Sequence, residues 1–538
     1  MPNEHGLSLA EAFSQAMAAW EAGKAGEARR LARLIVEQRP TFGGAHYLLG
    51  LMALDQGHAR RASEHLAEAV ALDPDQPAPR LAMGRAQEVL GNLKTAILHY
   101  RAIVGADPDH VEANARLAEL LRRTGRADDA LAHCRRAVAA NPRHAEALNT
   151  LGALLHERGD NAEAAGALRH ALEIRPDWPA ALNNYGTVLR ALGRPAEAIP
   201  FLEGAVDMRR QHAPTRANLA GALRELGRLD EAVRQAERAV KHDGRSAPAW
   251  LELGLARQAK GFLDGAAAAF DRAVSADPTA TGAHWLLAEA RRGLGQTERA
   301  AFHYRKCMQL DPADRVGAAL GLALCGAAPA PDKAPEAYVR QLFDDYADKF
   351  DSALVERLDY RAPDLLADAL ARVLGPAEGL AVLDAGCGTG LMGPVLKPRA
   401  RRLDGVDLSP AMVAKAGARG LYDEVRVAEL VGDLVAHPGT YDLVVAADVL
   451  VYVGDLAPVM AAAAAALVAG GCFAFTVERD DLADGFRLGP KSRYAHAPHY
   501  VRARAEAAGF ELAVVEPAAT RREAGVEVPG LVVVARRR

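Results

Sequence analysis

Residues 145–178 read AEALNTLGALLHERGDNAEAAGALRHALEIRPDW, and four positions of this stretch recur every 34 residues through the first half of the 538-residue chain. The first position is always glycine: Gly23, Gly57, Gly91, Gly125, Gly159, Gly193, Gly227, Gly261 and Gly295. The second is always alanine: Ala28, Ala62, Ala96, Ala130, Ala164, Ala198, Ala232, Ala266 and Ala300. The third is proline in all but two units, which have Arg210 and Gly244: Pro40, Pro74, Pro108, Pro142, Pro176, Pro278 and Pro312. The fourth is glycine or alanine: Gly50, Gly84, Ala118, Gly152, Gly186, Ala220, Gly254 and Ala288.

Each recurring residue type has its own structural reason. Glycine supplies the backbone conformation of a tight turn, proline ends a helix, and the small residues let two helix axes approach closely. A fixed period of this length predicts stacked helical hairpins. We expect nine hairpins between about residue 9 and residue 314, followed by a capping segment Val316–Leu324.

The pattern resembles the tetratricopeptide repeat, with Trp250, Leu253 and Gly254 at matching positions of the eighth unit. The resemblance implies an α-solenoid over residues 9–326, whose first helices line a concave groove that binds a peptide or another protein. The candidate groove residues are Arg85, Arg116, Asn149, Asn184 and Asn218.

Asn184 and Asn218 occupy the same position in successive repeats, so we expect them to line up one unit apart. Side-chain amides in that arrangement can hydrogen-bond the backbone of an extended peptide. The alternative is that both are solvated polar residues on a helix face, and the sequence leaves this alternative open.

The overall composition excludes several partners and sites. Basic and acidic residues number 65 and 69, a net charge of −4, so there is no global field to attract nucleic acid or an acidic membrane. The five cysteines are scattered without ligand-like spacing, which predicts a reducing compartment and no metal site. The first residues lack the pattern of a secretory signal, and no stretch is long and apolar enough to span a bilayer. We therefore expect a cytoplasmic protein, of unknown oligomeric state.

The pattern changes after the proline-rich segment 327–337, AAPAPDKAPEA, which predicts a semi-rigid linker. From residue 338 to 538, strand-like and helical runs alternate, which predicts an α/β Rossmann-like domain with a mostly parallel sheet of seven strands. The predicted strands are Ala381–Asp384, Arg402–Asp407, Val425–Ala428, Asp442–Ala447, Cys472–Val477, Glu511–Glu516 and Leu531–Ala535. The predicted helices are Arg361–Leu374, Pro410–Ala418, Leu456–Val468 and Val501–Ala508.

A glycine-rich loop follows the first predicted strand, in the run AVLDAGCGTGLMG over residues 381–393. Glycines there let the backbone approach a ligand at the carboxyl end of the strand. A dinucleotide-binding fingerprint would have its third glycine one position later, where this chain has Leu391. The D-x-G-x-G-x-G spacing instead resembles the first motif of class I S-adenosylmethionine-dependent methyltransferases. The resemblance implies cofactor contacts at Asp384, Gly386, Cys387, Gly388 and Gly390.

The same resemblance assigns further cofactor residues to the ends of the next strands. Asp407 ends the second strand, where a carboxylate can accept hydrogen bonds from both ribose hydroxyls, and Leu408 and Met412 follow it. Glu429 and Leu430 match the adenine-contacting pair, with Asp433 as the weaker alternative. Ala447 and Asp448 end the fourth strand, where the family flanks the cofactor and admits the acceptor.

Two aromatic-rich clusters are candidates for the acceptor side. Tyr346 shares one helical face with Phe343 and Phe350, and in related enzymes such a leading helix covers the cofactor, although packing on the sheet explains it equally well. The run SRYAHAPHYV contains Tyr494 and His496, and a histidine there could remove a proton near neutral pH. The alternative is a surface loop. The catalytic candidates are thus His496, Tyr494 and Tyr346, with no residue assigned as base.

Together the two halves resemble predicted methyltransferases that carry tetratricopeptide repeats. The leading hypothesis is an active methyltransferase whose repeats recruit a protein substrate or partner, with the acceptor unidentified. The alternatives are a scaffold whose second domain only senses the cofactor, or a small-molecule or lipid methyltransferase that oligomerises through its repeats. No DPPY-like run follows the fourth strand, where the chain has ADVLVY, so the signature of amino-group methylation in nucleic acids and glutamine is missing.

Overall fold

The computed structural model describes residues 8–347, 350, 360–523 and 525–538. The first seven residues, at the start of the region examined for a secretory signal, lie outside the described residues. The chain forms two compact units, one ending at Ala256 and the other beginning at Arg257.

The repeat region consists of paired helices in the predicted register, which confirms the helical solenoid. The helices are α1 Leu9–Glu21, α2 Ala25–Gln38, α3 Gly43–Asp55, α4 Ala59–Leu72, α5 Pro77–Val89, α6 Leu93–Ala106, α7 Val111–Arg123, α8 Ala127–Ala140, α9 Ala145–Glu157, α10 Asn161–Ile174, α11 Pro179–Ala191, α12 Pro195–Met208, α13 Ala213–Glu225, α14 Leu229–His242, α15 Ala247–Ala259, α16 Leu263–Ala276, α17 Thr281–Gly293 and α18 Thr297–Leu310. A shorter helix, α19 Ala318–Leu324, follows within the predicted capping segment.

The recurring residues have the structural roles that their types predict. The nine turn glycines all have a left-handed backbone, with φ between 71° at Gly193 and 88° at Gly159. The nine recurring alanines are completely buried. Within the first helices, a Cβ on Gly152 would lie 2.4 Å from Cγ of Leu168, so only a small residue lets α9 and α10 pack this closely. The residues that recur every 34 positions are therefore those that the turns and the close packing of neighbouring helices require.

A further regularity links each first helix to the end of the preceding hairpin. In six repeats, a side chain early in the first helix contacts the backbone oxygen six residues before it, at the recurring proline position. The side chain is His46, Arg80, Asn114, Arg216, Trp250 or His284. Residues of four types make this contact, which explains why no single residue type recurs at this position of the period.

The second half of the chain is an α/β fold. Its helices are α20 Glu336–Tyr346, α21 Ala362–Leu374, α22 Gly393–Leu396, α23 Pro410–Ala418, α24 Leu430–Ala436, α25 Ala457–Ala466 and α26 Pro498–Ala507. Its strands are β1 Leu380–Ala385, β2 Ala400–Asp407, β3 Glu424–Val427, β4 Tyr441–Ala446, β5 Leu467–Arg479, β6 Phe486–Leu488, β7 Tyr494–His496, β8 Phe510–Glu523 and β9 Val526–Arg537. All seven predicted strands and all four predicted helices are present, with ends shifted by a few residues or, in the long strands β5, β8 and β9, by more.

The strands form one sheet in which β3, β2, β1, β4 and β5 are consecutive parallel neighbours. Strand β9 runs antiparallel to β5, and β8 runs antiparallel to β9. In register, Asp384 of β1 faces Gly405 of β2 and Val445 of β4. The loops after β1, β2 and β4 therefore leave the same edge of the sheet. This arrangement places residues that are far apart in sequence around one site.

Two short strands were not predicted. Strand β7 runs parallel to the end of β5, and β6 pairs antiparallel with β7. The run SRYAHAPHYV therefore enters the sheet through Tyr494–His496 instead of forming a surface loop. Three residues are too few to show a strand period, so neither strand was visible in the sequence.

The proline-rich segment packs against the α/β fold. Ala334 donates its backbone N–H to the oxygen of Tyr452 at 2.8 Å, and Lys333 forms a β-bridge with Val453. The hydroxyl of Tyr494 donates to the oxygen of Pro331 at 2.6 Å. Residues 331–334 thus form part of the structure around the loop that follows β4.

Candidate functional site

The glycine loop after β1 has the backbone that its residues predict. Gly386, Gly388 and Gly390 all have positive φ, at 78°, 54° and 88°. The N–H groups of Gly386 and Cys387 donate to the oxygen of Val406 in β2, at 2.8 and 3.0 Å. A Cβ on Gly388 would lie 3.6 Å from the ring of Phe350, so a side chain there would fill the space between the loop and that ring.

Asp407 closes this loop from the end of β2. Its Oδ2 accepts the N–H of Gly388 at 2.9 Å, and its Oδ1 accepts the N–H of Ser409 at 2.9 Å. Burial raises the pKa of Asp407, although these backbone donors oppose the shift. Each carboxylate oxygen keeps a lone pair for a further donor. The side chain is therefore fixed and can still accept hydrogen bonds from a ligand.

Asp384 lies behind the loop, almost fully buried. The hydroxyl of Tyr422 donates to its Oδ2 at 2.6 Å. Burial raises the pKa of Asp384 to about 7, an increase that the Tyr422 hydrogen bond limits and the nearby Asp407 reinforces. Asp384 thus supports the loop from below.

Glu429 and its rival Asp433 occupy different environments. Glu429 is the N-cap residue of α24, where its Oε2 accepts the N–H of Gly432 at 2.8 Å, and Nζ of Lys333 lies 3.4 Å from its Oε1. Asp433 is buried and takes both of its hydrogen bonds from Arg426, at 2.9 and 3.0 Å. Only Glu429 faces the space above the glycine loop.

A cavity of about 400 Å³ lies over the carboxyl ends of β1, β2 and β4. The described residues that line it are Lys333, Ala334, Glu336, Val339, Leu342, Phe343, Tyr346, Phe350, Tyr360, Gly386, Gly388, Val406, Asp407, Leu408, Ala428, Glu429, Leu430, Ala447, Asp448, Val449, Tyr452, Val453, Arg493 and Arg521. Nine of the residues predicted to contact a cofactor are in this lining: Tyr346, Gly386, Gly388, Asp407, Leu408, Glu429, Leu430, Ala447 and Asp448. The predicted residues Asp384, Cys387, Gly390 and Met412 are not.

Cys387 and Gly390 belong to the glycine loop itself, whereas Asp384 precedes it in β1 and Met412 lies in α23. Cys387 and Met412 are buried, and burial raises the pKa of the Cys387 thiol. A Cβ on Gly390 would meet Arg419 at 3.0 Å, outside the cavity. Asp384, Cys387, Gly390 and Met412 thus lie outside the cavity lining, and their contacts with a cofactor stay a prediction.

An aromatic wall covers the cavity opposite the glycine loop. Ring centroids of Phe343 and Tyr452 are 5.5 Å apart, and those of Tyr346 and Phe350 are 6.0 Å apart, in edge-to-face contacts. Asp344 fixes α20, which carries two of these rings, because its Oδ1 accepts the Ser409 hydroxyl at 2.5 Å. Tyr346 thus lies in the cavity wall, as expected of a residue on a covering helix.

His496 and Tyr494 lie elsewhere, which corrects the expectation that they act at the site. His496 is fully buried, and its Nε2 donates to the oxygens of Val453 and Gly454 at 3.0 and 3.1 Å. Burial lowers the pKa of His496 to about 4, although these two acceptors oppose the shift. Tyr494 is equally buried, with its hydroxyl bound to Pro331. Both side chains support the loop after β4 and reach no part of the cavity.

A second cavity, of about 430 Å³, lies among the first helices of the repeats between Glu88 and Thr215. Arg116, Asn149 and Asn184 line it, whereas Arg85 and Asn218 do not. Arg116 is paired with Glu112, its Nε 2.7 Å from Oε1.

The asparagines bond to one another along the repeats. Nδ2 of Asn184 donates to Oδ1 of Asn149 at 3.0 Å, and Nδ2 of Asn218 donates to Oδ1 of Asn183 at 2.9 Å and to the hydroxyl of Thr187 at 3.0 Å. The pairs join residues 35 apart instead of 34. Asn183 was missed, although it has the repeat position of Asn149 and the period alone could have revealed it.

Comparisons with known families identify both parts of the chain. A family model described as "Methyltransferase domain" matches residues 383–473, which hold the glycine loop, Asp407 and Asp448. Two models described as "Tetratricopeptide repeat" match residues 179–243 and the stretches 13–77, 47–111, 81–145, 115–179, 218–281 and 251–315. The chain is a tetratricopeptide-repeat protein with a methyltransferase domain.

Individual relatives share smaller parts of the chain. It is 39% identical over 105 residues to Methyltransferase-like protein 27 of Homo sapiens, covering 19% of this chain and 42% of that protein. It is 32% identical over 109 residues to the ubiquinone biosynthesis O-methyltransferase of Xylella fastidiosa (strain 9a5c), covering 19% and 44%. Among solved structures, the APC/C hetero-tetramer Cut9–Hcn1 gives a TM-score of 0.42 at 13% identity, over 56% of this chain and 59% of that one. The chain spans less than half the length of these two curated relatives.

One end of the cavity in the methyltransferase domain contains Arg493, from the run SRYAHAPHYV whose residues were candidates for the acceptor side, and Arg521, which the sequence analysis missed. Arg521 of β8 contacts Asp448, Glu478 and Glu523. Arg493 contacts Glu478 and Glu523 as well. No sequence signal marks Arg521, because it lies 73 residues from Asp448 on a strand with no motif.

Tyr360 also lines this end of the methyltransferase-domain cavity. Burial raises the pKa of its hydroxyl well above the usual value, and Asp448 and Asp384 add to the shift. The phenol therefore keeps its proton at neutral pH.

Neither a cluster of potential metal ligands nor a helix able to cross a membrane occurs among the described residues. No group of three or more histidine, cysteine or acidic residues among them could hold a metal ion. No helix in the same part of the chain has the length and apolar character needed to cross a membrane.

Proposed function

We propose that the protein is an S-adenosylmethionine-dependent methyltransferase that modifies a protein bound through its repeats. The observation that carries the proposal is the single cavity wall formed by the positive-φ Gly386 and Gly388, by Asp407 and by Glu429. These residues come from the ends of three different strands or the segments that follow them. A wall of this composition is suited to a ligand with an amino-acid part, a ribose and a base.

The residues present fit this cofactor. Gly388 leaves open the space that a Cβ would enter, so a ligand can lie against the loop backbone. Asp407 retains acceptor capacity toward ribose hydroxyls, because each oxygen uses one lone pair for a backbone N–H. Glu429 and Leu430 face the far end, where the family contacts the adenine. When bound, S-adenosylmethionine supplies a methyl group on a sulfonium that an acceptor N, O or C attacks, leaving S-adenosylhomocysteine.

The contribution of the protein to such a transfer is mainly positional. Holding donor and acceptor in line at about 3 Å supplies much of the rate, because the sulfonium is already activated. The aromatic wall of Phe343, Tyr346, Phe350 and Tyr452 excludes water above the loop. Tyr360 stays protonated and is able to donate a hydrogen bond at the acceptor end.

The repeats support the choice of a protein acceptor. Their cavity contains an amide-rich strip of Asn149, Asn183 and Asn184 beside the aromatic ring of Trp178. Such a strip offers donors and acceptors to a peptide backbone, and Trp178 offers apolar contact area. We infer that a segment of the substrate protein binds there.

The first test measures cofactor binding by calorimetry. We expect the parent to bind S-adenosylmethionine at micromolar affinity, and Asp407→Ala to weaken binding about 100-fold through the loss of charge-assisted hydrogen bonds. The control is Asp364→Ala, an exposed aspartate of α21 outside the cavity. Absence of binding by the parent, or equal binding by Asp407→Ala, contradicts the proposal.

The second test follows the tritiated methyl group from S-adenosylmethionine into a cell extract, which is then separated into protein, nucleic-acid and small-molecule fractions. Label in protein is the expected result. Label only in small molecules contradicts a protein acceptor while leaving a methyltransferase in place.

The third test addresses the repeats. Arg116→Glu reverses a charge in the groove and should lower labelling of protein about tenfold without changing cofactor affinity. Arg169→Glu is the control, because Arg169 is an exposed arginine of α10 outside the groove. Equal labelling by the two variants would remove the groove from the proposal.

A further inference from the structure

Arg521 is a buried charge at the acceptor end of the cavity. Its side chain is only 2% exposed. Its Nη1 donates to both carboxylate oxygens of Asp448 at 2.6 and 2.7 Å, its Nε donates to Glu523 at 3.0 Å, and its Nη2 contacts Glu478. Burying a guanidinium is costly unless its hydrogen bonds are satisfied, and here three carboxylates satisfy them. A buried guanidinium with three carboxylate partners at a cavity wall indicates a role beyond stability.

Asp448 is held in a strained conformation at the same place. It lies two residues after the end of β4 and has a left-handed backbone, with φ 59°. Its backbone N–H donates to the hydroxyl of the buried Thr476 at 2.8 Å. A left-handed residue other than glycine costs free energy, and such residues cluster at functional sites. The Thr476 bond fixes the backbone of Asp448, and Arg521 fixes its carboxylate.

The contacts of Arg521 and Thr476 with Asp448, here called the clamp, leave the Asp448 carboxylate able to bind one further group. Each oxygen of Asp448 accepts one hydrogen bond from Arg521 and has a second lone pair. The guanidinium holds the carboxylate in one orientation, in which it can accept a further hydrogen bond. The neighbouring Arg493 is similarly occupied by Glu478 and Glu523.

We propose that Asp448 orients the acceptor by taking a hydrogen bond from its reacting N–H or O–H group, and that Arg521 is the positioning residue that aims Asp448. The inference rests on the proposed methyl transfer. It names the acceptor chemistry: an amine, an amide or a hydroxyl, and not a carboxylate, which the Asp448 charge would repel. Neither the family match, which ends at residue 473, nor the motifs of the sequence assign Arg521 any role.

The step balances without another reactant. The acceptor N or O forms a bond to the methyl carbon, the S–C bond breaks with its electron pair going to sulfur, and the proton of the acceptor leaves to water. The hydrogen bond to Asp448 fixes the orientation of the acceptor N–H or O–H group, and with it the direction of the attacking lone pair. Arg521 touches neither reacting atom.

The test compares four full-length variants with the parent: Asp448→Asn, Arg521→Lys, the double variant and Arg372→Lys. Asparagine tolerates the left-handed backbone, and lysine keeps the positive charge while losing the paired geometry. Arg372 is the control because it makes an equally close two-point pair with Glu516, at 2.6 and 2.7 Å, on an exposed surface. The readouts are calorimetric affinity for S-adenosylhomocysteine, melting temperature, and the rate of tritium transfer into dialysed cell extract.

We expect each single variant at the clamp to transfer about 100-fold more slowly, with cofactor affinity within about twofold of the parent and Arg372→Lys unchanged. Because Arg521 acts through Asp448, the double variant should be no slower than Asp448→Asn alone. Losses that multiply in the double variant overturn the positioning role. So does an Arg521→Lys variant that matches the parent, or one that also loses cofactor affinity.

The chemical form of the label tests the acceptor class. Methyl groups on nitrogen or on a hydroxyl oxygen survive mild alkali, whereas carboxyl methyl esters release methanol. Alkali-stable label is expected, and volatile label overturns the assignment. A parent that binds cofactor and transfers no label overturns the proposed function itself, and the inference with it. A parent that transfers label while the clamp variants match it overturns only the inference.

Discussion

The repeats and the cavity of the methyltransferase domain are built from contacts of very different range. In the repeats, the side-chain pair Asn149–Asn184 joins residues 35 apart, and the same kind of contact recurs in Asn183–Asn218. Around the cavity, Arg521 reaches Asp448 across 73 residues and Lys333 reaches Glu429 across 96. The Arg521–Asp448 and Lys333–Glu429 contacts each occur once, whereas the asparagine contact is repeated.

This difference decides how each region responds to change. A repeat contacts mainly its neighbours, so its stability is a sum of local terms. The cavity depends on several segments meeting at one sheet edge, so one substitution can alter a site without unfolding it. Substitutions in the two regions should therefore differ in how far their effects reach, and the largest loss of stability is expected in the repeats.

Gly152→Val should destabilise the repeats by about 3 kcal/mol, because the first added carbon would lie 2.4 Å from Cγ of Leu168. The measurement is the free energy of unfolding in urea. Gly166→Val is the control, since a Cβ on this exposed glycine of α10 meets nothing within 4 Å. A loss of affinity for S-adenosylmethionine in Gly152→Val would contradict the local character of the repeats.

His496→Gln should remove a pH dependence from the stability of the methyltransferase domain. The pKa of His496 is lowered from 6.5 to about 4 by burial, so the unfolded state binds a proton below pH 6.5 while the folded state does not. Stability is complete above pH 6.5 and falls as the pH drops toward 4. At pH 5 the parent should have lost about 2 kcal/mol that the variant keeps.

Unfolding at pH 7.5 and pH 5 measures this difference. The exposed His499, three residues away, provides the control His499→Gln. If the two variants show the same change between the two pH values, the buried position of His496 has no part in the acid sensitivity.

Tyr422→Phe should cost about 1.5 kcal/mol by leaving the buried Asp384 without its hydroxyl donor. The Tyr422 hydrogen bond lowers the pKa of Asp384, which burial raises to about 7, so the variant should have a still higher pKa there. A raised carboxyl pKa means that stability is lost as the pH rises. The unfolding free energy of the variant should therefore continue to fall above pH 7, where that of the parent levels off.

Gly159→Ala should have the smallest effect, about 1 kcal/mol, because nothing lies near the added carbon and only the backbone strain at φ 88° opposes it. Gly105→Ala is the matched control at an exposed helical glycine, and it should stabilise the protein by about 0.5 kcal/mol. Opposite signs in thermal unfolding are expected. Equal signs would show that the turn glycines are not retained for their backbone conformation.

Much of the fold was predictable because its signals are local or periodic. The turn glycines and buried alanines repeat nine times, and the strands β1, β4 and β5 contain apolar runs between turn residues. The strands β6 and β7 were missed, because three residues show no period. His496 was misjudged for the same reason, since its place in β7 takes it into the core and away from the cavity.

For the site, the sequence predicted Gly386, Gly388, Asp407 and Glu429, which follow strands whose carboxyl ends share one edge of a parallel sheet. The sequence did not predict which residues of the motifs line the cavity. Asp384 and Asp407 are both aspartates at the ends of predicted strands. The Tyr422 hydroxyl binds the first, however, and only the second lines the cavity.

The sequence by itself determined the nine repeats, the positions of the main strands and the glycine loop, because each is specified by residue types in a local or periodic pattern. Only the tertiary structure decided that Lys333, Tyr360 and Arg521 border the cavity and that His496 does not. The physical reason is that spacing along the chain fixes backbone conformation, whereas the environment of a side chain depends on segments that no local pattern connects.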